Sequence, residues 1–221
     1  MSSPNADTAR FPEALEAARR YTEAVRTSAA DLVVRDGRVS GSAADKAQRL
    51  LHGLAWINTT VEALAALLPW LDAARQAGPS EAETLVVHIA FGEYLGQLTG
   101  GLPMSQNEIV RPFDLGTSQA AADLASDAAV AWLLEHGNTA ETRAALAGHL
   151  RSGSTLFESF GDETLDMIRE ELRRFTDNRI KPQAHQWHLA DDLIPDEVVG
   201  EMAELGVFGV CIGESFGGHG L

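Results

Sequence analysis

Apolar residues recur at alternating steps of four and three between residues 42 and 77. They are Leu50, Leu54, Ile57, Val61, Leu64, Leu68 and Leu71. This spacing places all seven on one face of an α-helix. A coiled coil would have charged residues beside the stripe, whereas here the neighbours include Trp56 and Trp70. We therefore predict a helix that lies inside a bundle and is kinked near Pro69.

Four further helices are predicted before residue 152, at 11–34, 80–101, 117–136 and 139–150. The turn residues Arg35-Asp36-Gly37 end the first of them, and Gly137 and Gly153 end the last two. Ser80 and Glu83 have the spacing of a capping box, in which each side chain bonds the other residue's backbone N–H. Gly92, Gly96 and Gly100 lie four apart on one face. They indicate either tight helix packing, which we favour, or a groove for a ligand.

The pattern after residue 161 predicts two more helices and a terminal loop. Over 162–188, Leu165, Ile168, Leu172 and Phe175 share a face. Glu170 and Arg174 form a predicted i,i+4 pair on the other face, and Pro182 ends or bends the helix. A shorter helix starts at Pro195 and stops at Gly206. An apolar segment, 207–212, then leads into the glycine-rich residues 213–221.

Composition changes sharply at residue 152. Residues 1–151 contain 31 Ala and carry 12 basic and 18 acidic side chains, whereas residues 152–221 contain 3 Ala, 5 basic and 14 acidic side chains. The small polar stretch from Arg151 to Ser154 is typical of a linker. We predict a helical domain over 1–151, a linker over 152–161 and a second domain over 162–221.

The overall charge argues against two classes of function. The chain has 17 Lys and Arg against 32 Asp and Glu, a net charge of −15. Nucleic-acid binding and docking on an anionic membrane both need clustered basic residues, so we expect neither partner. No run of about 18 uninterrupted apolar residues predicts a membrane span, and no signal peptide is evident. We therefore expect a cytoplasmic protein.

Three candidate chemical sites are weak. The glycines at 213, 217, 218 and 220 match neither dinucleotide-binding nor P-loop spacing. His185 and His188 could share a metal at i,i+3, but a structural or solvent-facing pair is favoured, so no metal site is predicted. Cys211 follows an apolar run and is expected to be a small buried side chain. No catalytic residue is predicted from these patterns.

Residues 162–221 resemble the start of the acyl-CoA dehydrogenase fold. Five motifs occur in the family's order: the amphipathic helix from Thr164, Ile180-Lys181-Pro182-Gln183-Ala184, Ile194-Pro195, the run 202–209 and the run 214–221. These last two runs are similar to the family's "LAELGLLG" and "PEEYGGLGL". Gly213 stands where the family usually has proline, which loosens that turn.

The resemblance implies a mainly α fold: a helical-bundle extension, then the start of the family's N-terminal helical domain. The family's β-domain and C-terminal bundle, which hold the catalytic glutamate and most contacts to FAD, have no counterpart here. No catalytic or cofactor-binding residue can therefore be assigned. The implied reaction is α,β-dehydrogenation of an acyl-CoA: a carboxylate takes the α-proton and the β-hydrogen leaves as hydride to the flavin.

The family also implies electron-transfer flavoprotein as a partner and a homo-oligomer. The loop at Phe216, Gly217 and Gly218 is expected to edge the acyl pocket, although a tight turn between elements is an equal alternative. A long helical extension resembles the subgroup of the ethylmalonyl-CoA pathway that acts on short branched acyl-CoA of the methylsuccinyl type. Two alternatives stay open: a non-catalytic helical assembly or docking module, and a relative that keeps flavin but dehydrogenates little.

Overall fold

A computed structural model describes residues 9–221 and divides the chain into two compact units. The first ends at Phe157 and the second comprises Glu158–Leu221. The point of division falls within the stretch 152–161 that composition marks as a linker. The described residues are mainly helical, as the sequence predicts.

The first unit contains seven helices and two short hairpins among its described residues. The helices are α1 (Arg10–Val33), α2 (Gly41–Lys46), α3 (Gln48–Ala77), α4 (Glu81–Gly100), α5 (Ser118–Ser126), α6 (Ala128–His136) and α7 (Ala140–Arg151). The antiparallel hairpins pair β1 (Val34–Arg35) with β2 (Arg38–Val39), and β3 (Leu102–Ser105) with β4 (Glu108–Val110). A 3₁₀ turn, Pro112–Leu115, precedes α5.

The predicted apolar stripe faces the core of this unit. Ile57, Val61, Leu64 and Leu71 are buried, and the other three stripe residues are partly buried against the same core. Helix α3 packs on α1 and α4, while α4 packs on α6 and α7. The stripe therefore folds as its spacing predicts, and α3 continues through Pro69 to Ala77.

The opposite side of α3 is less covered than the sequence suggests. Trp56 is 39% exposed, so the expectation that the whole helix lies inside a bundle is too strong. By length and composition α3 is apolar enough to span a membrane. A buried stripe of this kind is also typical of the core helix of a bundle.

Two other expectations for the first unit need correction. The predicted helix over 117–136 is two helices, because Asp127 adopts an extended backbone and its carboxylate accepts the N–H groups of Ala129 and Val130. The predicted capping box does not form, since the Ser80 side chain makes no cap hydrogen bond. The carboxylate of Glu83 instead accepts the backbone N–H of Phe157.

The glycines of α4 differ in their surroundings. A Cβ on Gly92 would lie 2.5 Å from the backbone nitrogen of Asn138, whereas one on Gly96 would meet only a Leu134 methyl at 3.8 Å. A Cβ on Gly100 would have no atom within 4 Å. Tight backbone packing is therefore confirmed for Gly92 alone.

The second unit contains three helices and three short helical turns. They are α8 (Glu163–Phe175), a π-helical turn (Thr176–Ile180), α9 (Lys181–Ala190), α10 (Asp196–Glu204) and two 3₁₀ turns, Val207–Gly209 and Glu214–Phe216. Pro182 lies in the first turn of α9, directly after the π-helical turn. Because proline has no N–H to donate, the widened turn accommodates it without ending the helical path.

Candidate functional site

The glycine-rich end of the chain folds back on the segment before it. The N–H groups of His219, Gly220 and Leu221 donate to the carbonyls of Gly209, Ile212 and Val210 at 2.8–2.9 Å. Gly217 and Gly220 have φ angles of 86° and 67°, values that glycine adopts without the strain a side chain would cause. The loop is therefore tied to the apolar segment 207–212 by its backbone.

The hydrogen bonds of this loop leave the N–H groups of residues 216–221 unavailable for a phosphate cradle. The N–H groups of Phe216, Gly217 and Gly218 also donate within the loop, to carbonyls of Gly213 and Glu214. Every backbone N–H from 216 to 221 thus has an internal acceptor. A phosphate site on a glycine loop needs several free N–H groups pointing at one place.

The structure gives the three predicted pocket-edge residues different surroundings. The Phe216 side chain is 86% exposed. A Cβ on Gly217 would have no atom within 4 Å, whereas one on Gly218 would overlap the carbonyl of Ile212. Gly218 is therefore required by packing within the loop, and Phe216 and Gly217 form its open surface.

Gly206 and His219 make a close contact that the sequence pattern does not predict. Gly206 ends α10 with a φ of 77°, and a Cβ there would overlap the imidazole of His219. The predicted stop at Gly206 is confirmed. Glycine is needed at position 206 for two reasons: its backbone angle suits the end of a helix, and a side chain would overlap the His219 ring of the returning loop.

Helix α8 is anchored at its start by two aspartates. Asp162 caps it by accepting the N–H of Leu165 at 3.0 Å. Asp166 accepts the Ser159 hydroxyl at 2.5 Å and the Phe160 N–H at 2.9 Å. These two hydrogen bonds lower the pKa of Asp166, the serine bond having the larger effect.

An ion-pair network joins the π-helical turn to α10. The Arg179 guanidinium contacts the carboxylates of Glu197, at 3.2 Å, and of Glu201. Its hydrogen bond to Glu201 lowers the pKa of that carboxyl group. The network positions α10, and through it the Gly206 turn that precedes the loop.

Three expectations for the second unit have different outcomes. Arg174 pairs with Glu171 at 2.9 Å rather than with Glu170, and Glu170 contacts Arg169 and Arg173, so the predicted i,i+4 pair is wrong. Cys211 is exposed, so the expectation of a buried side chain is wrong. His185 and His188 are also exposed, and the described residues include no group of three metal-binding side chains.

Comparison with known proteins agrees with this geometry. A family model described as the acyl-CoA dehydrogenase N-terminal domain matches residues 162–221. The chain is 42% identical over 213 residues, 95% of its length, to (2S)-methylsuccinyl-CoA dehydrogenase of Cereibacter sphaeroides. Residues 162–221 thus match the acyl-CoA dehydrogenase N-terminal domain, and the chain as a whole is similar to a member of that family. A second member, glutaryl-CoA dehydrogenase of Desulfococcus multivorans, is 40% identical over 57 residues, 26% of this chain and 15% of that protein.

The first match extends well beyond the acyl-CoA dehydrogenase domain. An alignment of 213 of the 221 residues must include most of the helical extension and most of residues 162–221. The chain spans 38% of the length of that relative. The extension is therefore a feature that the two proteins share.

The returning loop and the main charged anchors of this segment are occupied by internal hydrogen bonds. The loop N–H groups from 216 to 221 are all bonded internally. The charged side chains of Arg179 and Asp166 are engaged with partners in the same unit. Neither the N–H groups of residues 216–221 nor the Arg179 guanidinium is thus free to bind the FAD phosphates.

Proposed function

We propose that this chain is part of a flavin-dependent acyl-CoA dehydrogenase that acts on a short branched acyl-CoA of the methylsuccinyl type. The observation that carries the proposal is the match at 42% identity, which runs through both the extension and the family domain. The match to glutaryl-CoA dehydrogenase, by contrast, covers only 57 residues.

In this proposal residues 162–206 are scaffold. Asp162 and Asp166 fix the start of α8, and Arg179 joins the π-helical turn to α10. Such buttressing matters because a dehydrogenase must hold its reacting groups in position and exclude water around them. The extension, residues 1–151, is proposed as a separate helical domain joined through the linker 152–161.

The surface at Phe216, Gly217 and Gly218 is proposed as one edge of the acyl pocket. Phe216 offers an exposed aromatic face, and the space beside Gly217 is empty. An aliphatic acyl chain could therefore lie against the backbone at Gly217 with Phe216 covering it. Burial of apolar surface would supply the binding energy.

We further propose FAD as the cofactor, held mainly by parts of the enzyme outside these residues, and electron-transfer flavoprotein as the electron acceptor. When bound, the flavin accepts the hydride. A homo-oligomer and a cytoplasmic location complete the proposal.

The decisive experiment uses the full-length enzyme. A purified protein with flavin absorbance should reduce an electron-accepting dye faster with methylsuccinyl-CoA than with butyryl-CoA, compared by kcat/KM. Equal values would contradict the substrate assignment while leaving the family reaction in place. Flavin without turnover of any acyl-CoA in the panel would favour the relative with little dehydrogenase activity, and a colourless protein would favour the assembly module.

A further inference from the structure

The extension contains a cavity of about 640 Å³ at one end of the helical unit. It lies where the end of α1, the β1–β2 hairpin, α2 and the start of α3 meet the strand β4 and the following 3₁₀ turn. This volume is within the usual range for small-molecule sites. Neither the acyl-CoA dehydrogenase domain nor the proposed acyl pocket contributes to it.

The cavity is basic within an acidic protein. Its charged lining residues are Arg35, Lys46, Arg49 and Asp114. The hydroxyl groups of Ser40 and Ser42 also line it. Three cations against one carboxylate give a formal charge of +2, whereas residues 1–151 as a whole carry 12 basic and 18 acidic side chains.

The four charged groups differ in how many hydrogen-bond or ion-pair partners they have within the protein. Asp114 accepts the backbone N–H of Arg111 at 3.0 Å and lies 3.5 Å from Arg49. The Arg35 guanidinium donates to three carbonyls at the end of α1. Among the residues that the structure describes, the Lys46 ammonium has neither an ion pair nor a hydrogen bond. Lys46 is thus available to an external anion.

The rest of the lining is apolar. Leu32, Leu50, Val110 and Leu115 contribute aliphatic surface, and the last two are buried in the core. A ligand that fills the cavity therefore needs an aliphatic part as well as an anionic group.

We propose that this cavity binds a phosphate monoester with an aliphatic substituent. A phosphate monoester carries close to two negative charges at neutral pH, which matches the formal +2 of the lining. A single carboxylate would neutralise only one of these two positive charges. The phosphate would lie at Lys46 and the serine hydroxyls, and the substituent against Leu50 and Val110.

The test measures binding to the full-length protein by isothermal titration calorimetry with n-butyl phosphate, inorganic phosphate and butyrate. We expect saturable binding of n-butyl phosphate that is tighter than that of the other two. K46Q should weaken it about tenfold, because one charge-assisted hydrogen bond is lost. K46R, which keeps the charge, should retain most of the affinity.

The control is K181Q, since Lys181 is the other lysine of the chain and its ammonium pairs with Asp177 outside the cavity. It changes the net charge as K46Q does and should leave the affinity unchanged. The proposal is overturned by an absence of saturable binding, by equal affinities in the wild type and K46Q, or by equal weakening in the two glutamine variants. Butyrate that binds as tightly as n-butyl phosphate would overturn the phosphate assignment.

Discussion

The carboxylate of Glu83 accepts the backbone N–H of Phe157 at 2.8 Å, 74 residues along the chain. Glu83 is only 5% exposed although it is charged. The indole N–H of Trp70 donates to the carbonyl of the same Phe157 at 3.1 Å. Side chains from α3 and α4 thus satisfy both backbone groups of one residue after α7, and this fixes the end of the first unit.

Replacing Glu83 by alanine should destabilise the protein by about 1–3 kcal/mol, because the Phe157 N–H loses its acceptor in a partly buried place. Denaturant unfolding measures the change. Glu81 provides the matched control, since it lies exposed in the same first turn of α4, and E81A should cost less than about 0.5 kcal/mol. Equal losses in the two variants would mean that the helix terminus, rather than Phe157, needs the carboxylate.

The W70F variant keeps an aromatic ring but removes the donor to Phe157. We expect a loss of about 1 kcal/mol in unfolding free energy and faster hydrogen exchange around residue 157. W56F is the control, because the Trp56 indole donates to His52 at an exposed position, where water replaces the bond. Unchanged exchange in W70F would show that the indole does not hold this segment.

Substitution of two glycines of α4 by alanine should have opposite effects. A Cβ on Gly92 would overlap the Gly137–Asn138 backbone, so G92A should cost about 1–3 kcal/mol through overpacking. G96A meets only ordinary contact and should be neutral or stabilise the helix by up to about 1 kcal/mol. Thermal unfolding of both variants decides the matter, and a destabilised G96A would contradict the assigned packing.

The Asp166–Ser159 hydrogen bond should make the stability of the second unit depend on acid pH. The folded-state pKa of Asp166 is lowered, so its stabilising effect is present above the unfolded-state pKa of about 4 and is lost as pH falls through the lower folded-state value. The stability difference between wild type and D166N should be constant above about pH 5 and should close in acid. S159A should diminish this pH dependence, and a difference that persists in acid would refute the coupling.

Phe216 should affect substrate binding in the full-length enzyme if the loop edges the acyl pocket. F216A is expected to raise KM for the acyl-CoA several-fold with a smaller change in kcat, because the lost contact exists before and during the reaction. Phe208, also exposed in the second unit at 58%, supplies the control. If F216A and wild type had identical kinetics, Phe216 would not lie at the edge of the acyl pocket.

Sequence alone determined the features that depend on neighbouring residues. The stripe along α3 was predictable because steps of four and three create an apolar face whatever it packs on. The helix ends at Gly153 and Gly206 were predictable because glycine readily adopts the left-handed backbone that both positions have. The family resemblance in residues 162–221 likewise rests on five motifs in order, and the family model for the acyl-CoA dehydrogenase N-terminal domain matches the same residues.

Only the tertiary structure decided the partners of polar side chains. The Ser80–Glu83 spacing suits a local cap, yet a distant N–H at Phe157 takes the carboxylate. Arg174 had two glutamates within one helical turn, and the side-chain geometry selected Glu171. Cys211 follows an apolar run, yet its side chain is exposed. Local spacing in the sequence defines which partners are possible. Which of them a side chain contacts depends on the polar groups that the fold buries, because a buried polar group needs a hydrogen-bond partner. Burial is a property of the packed chain.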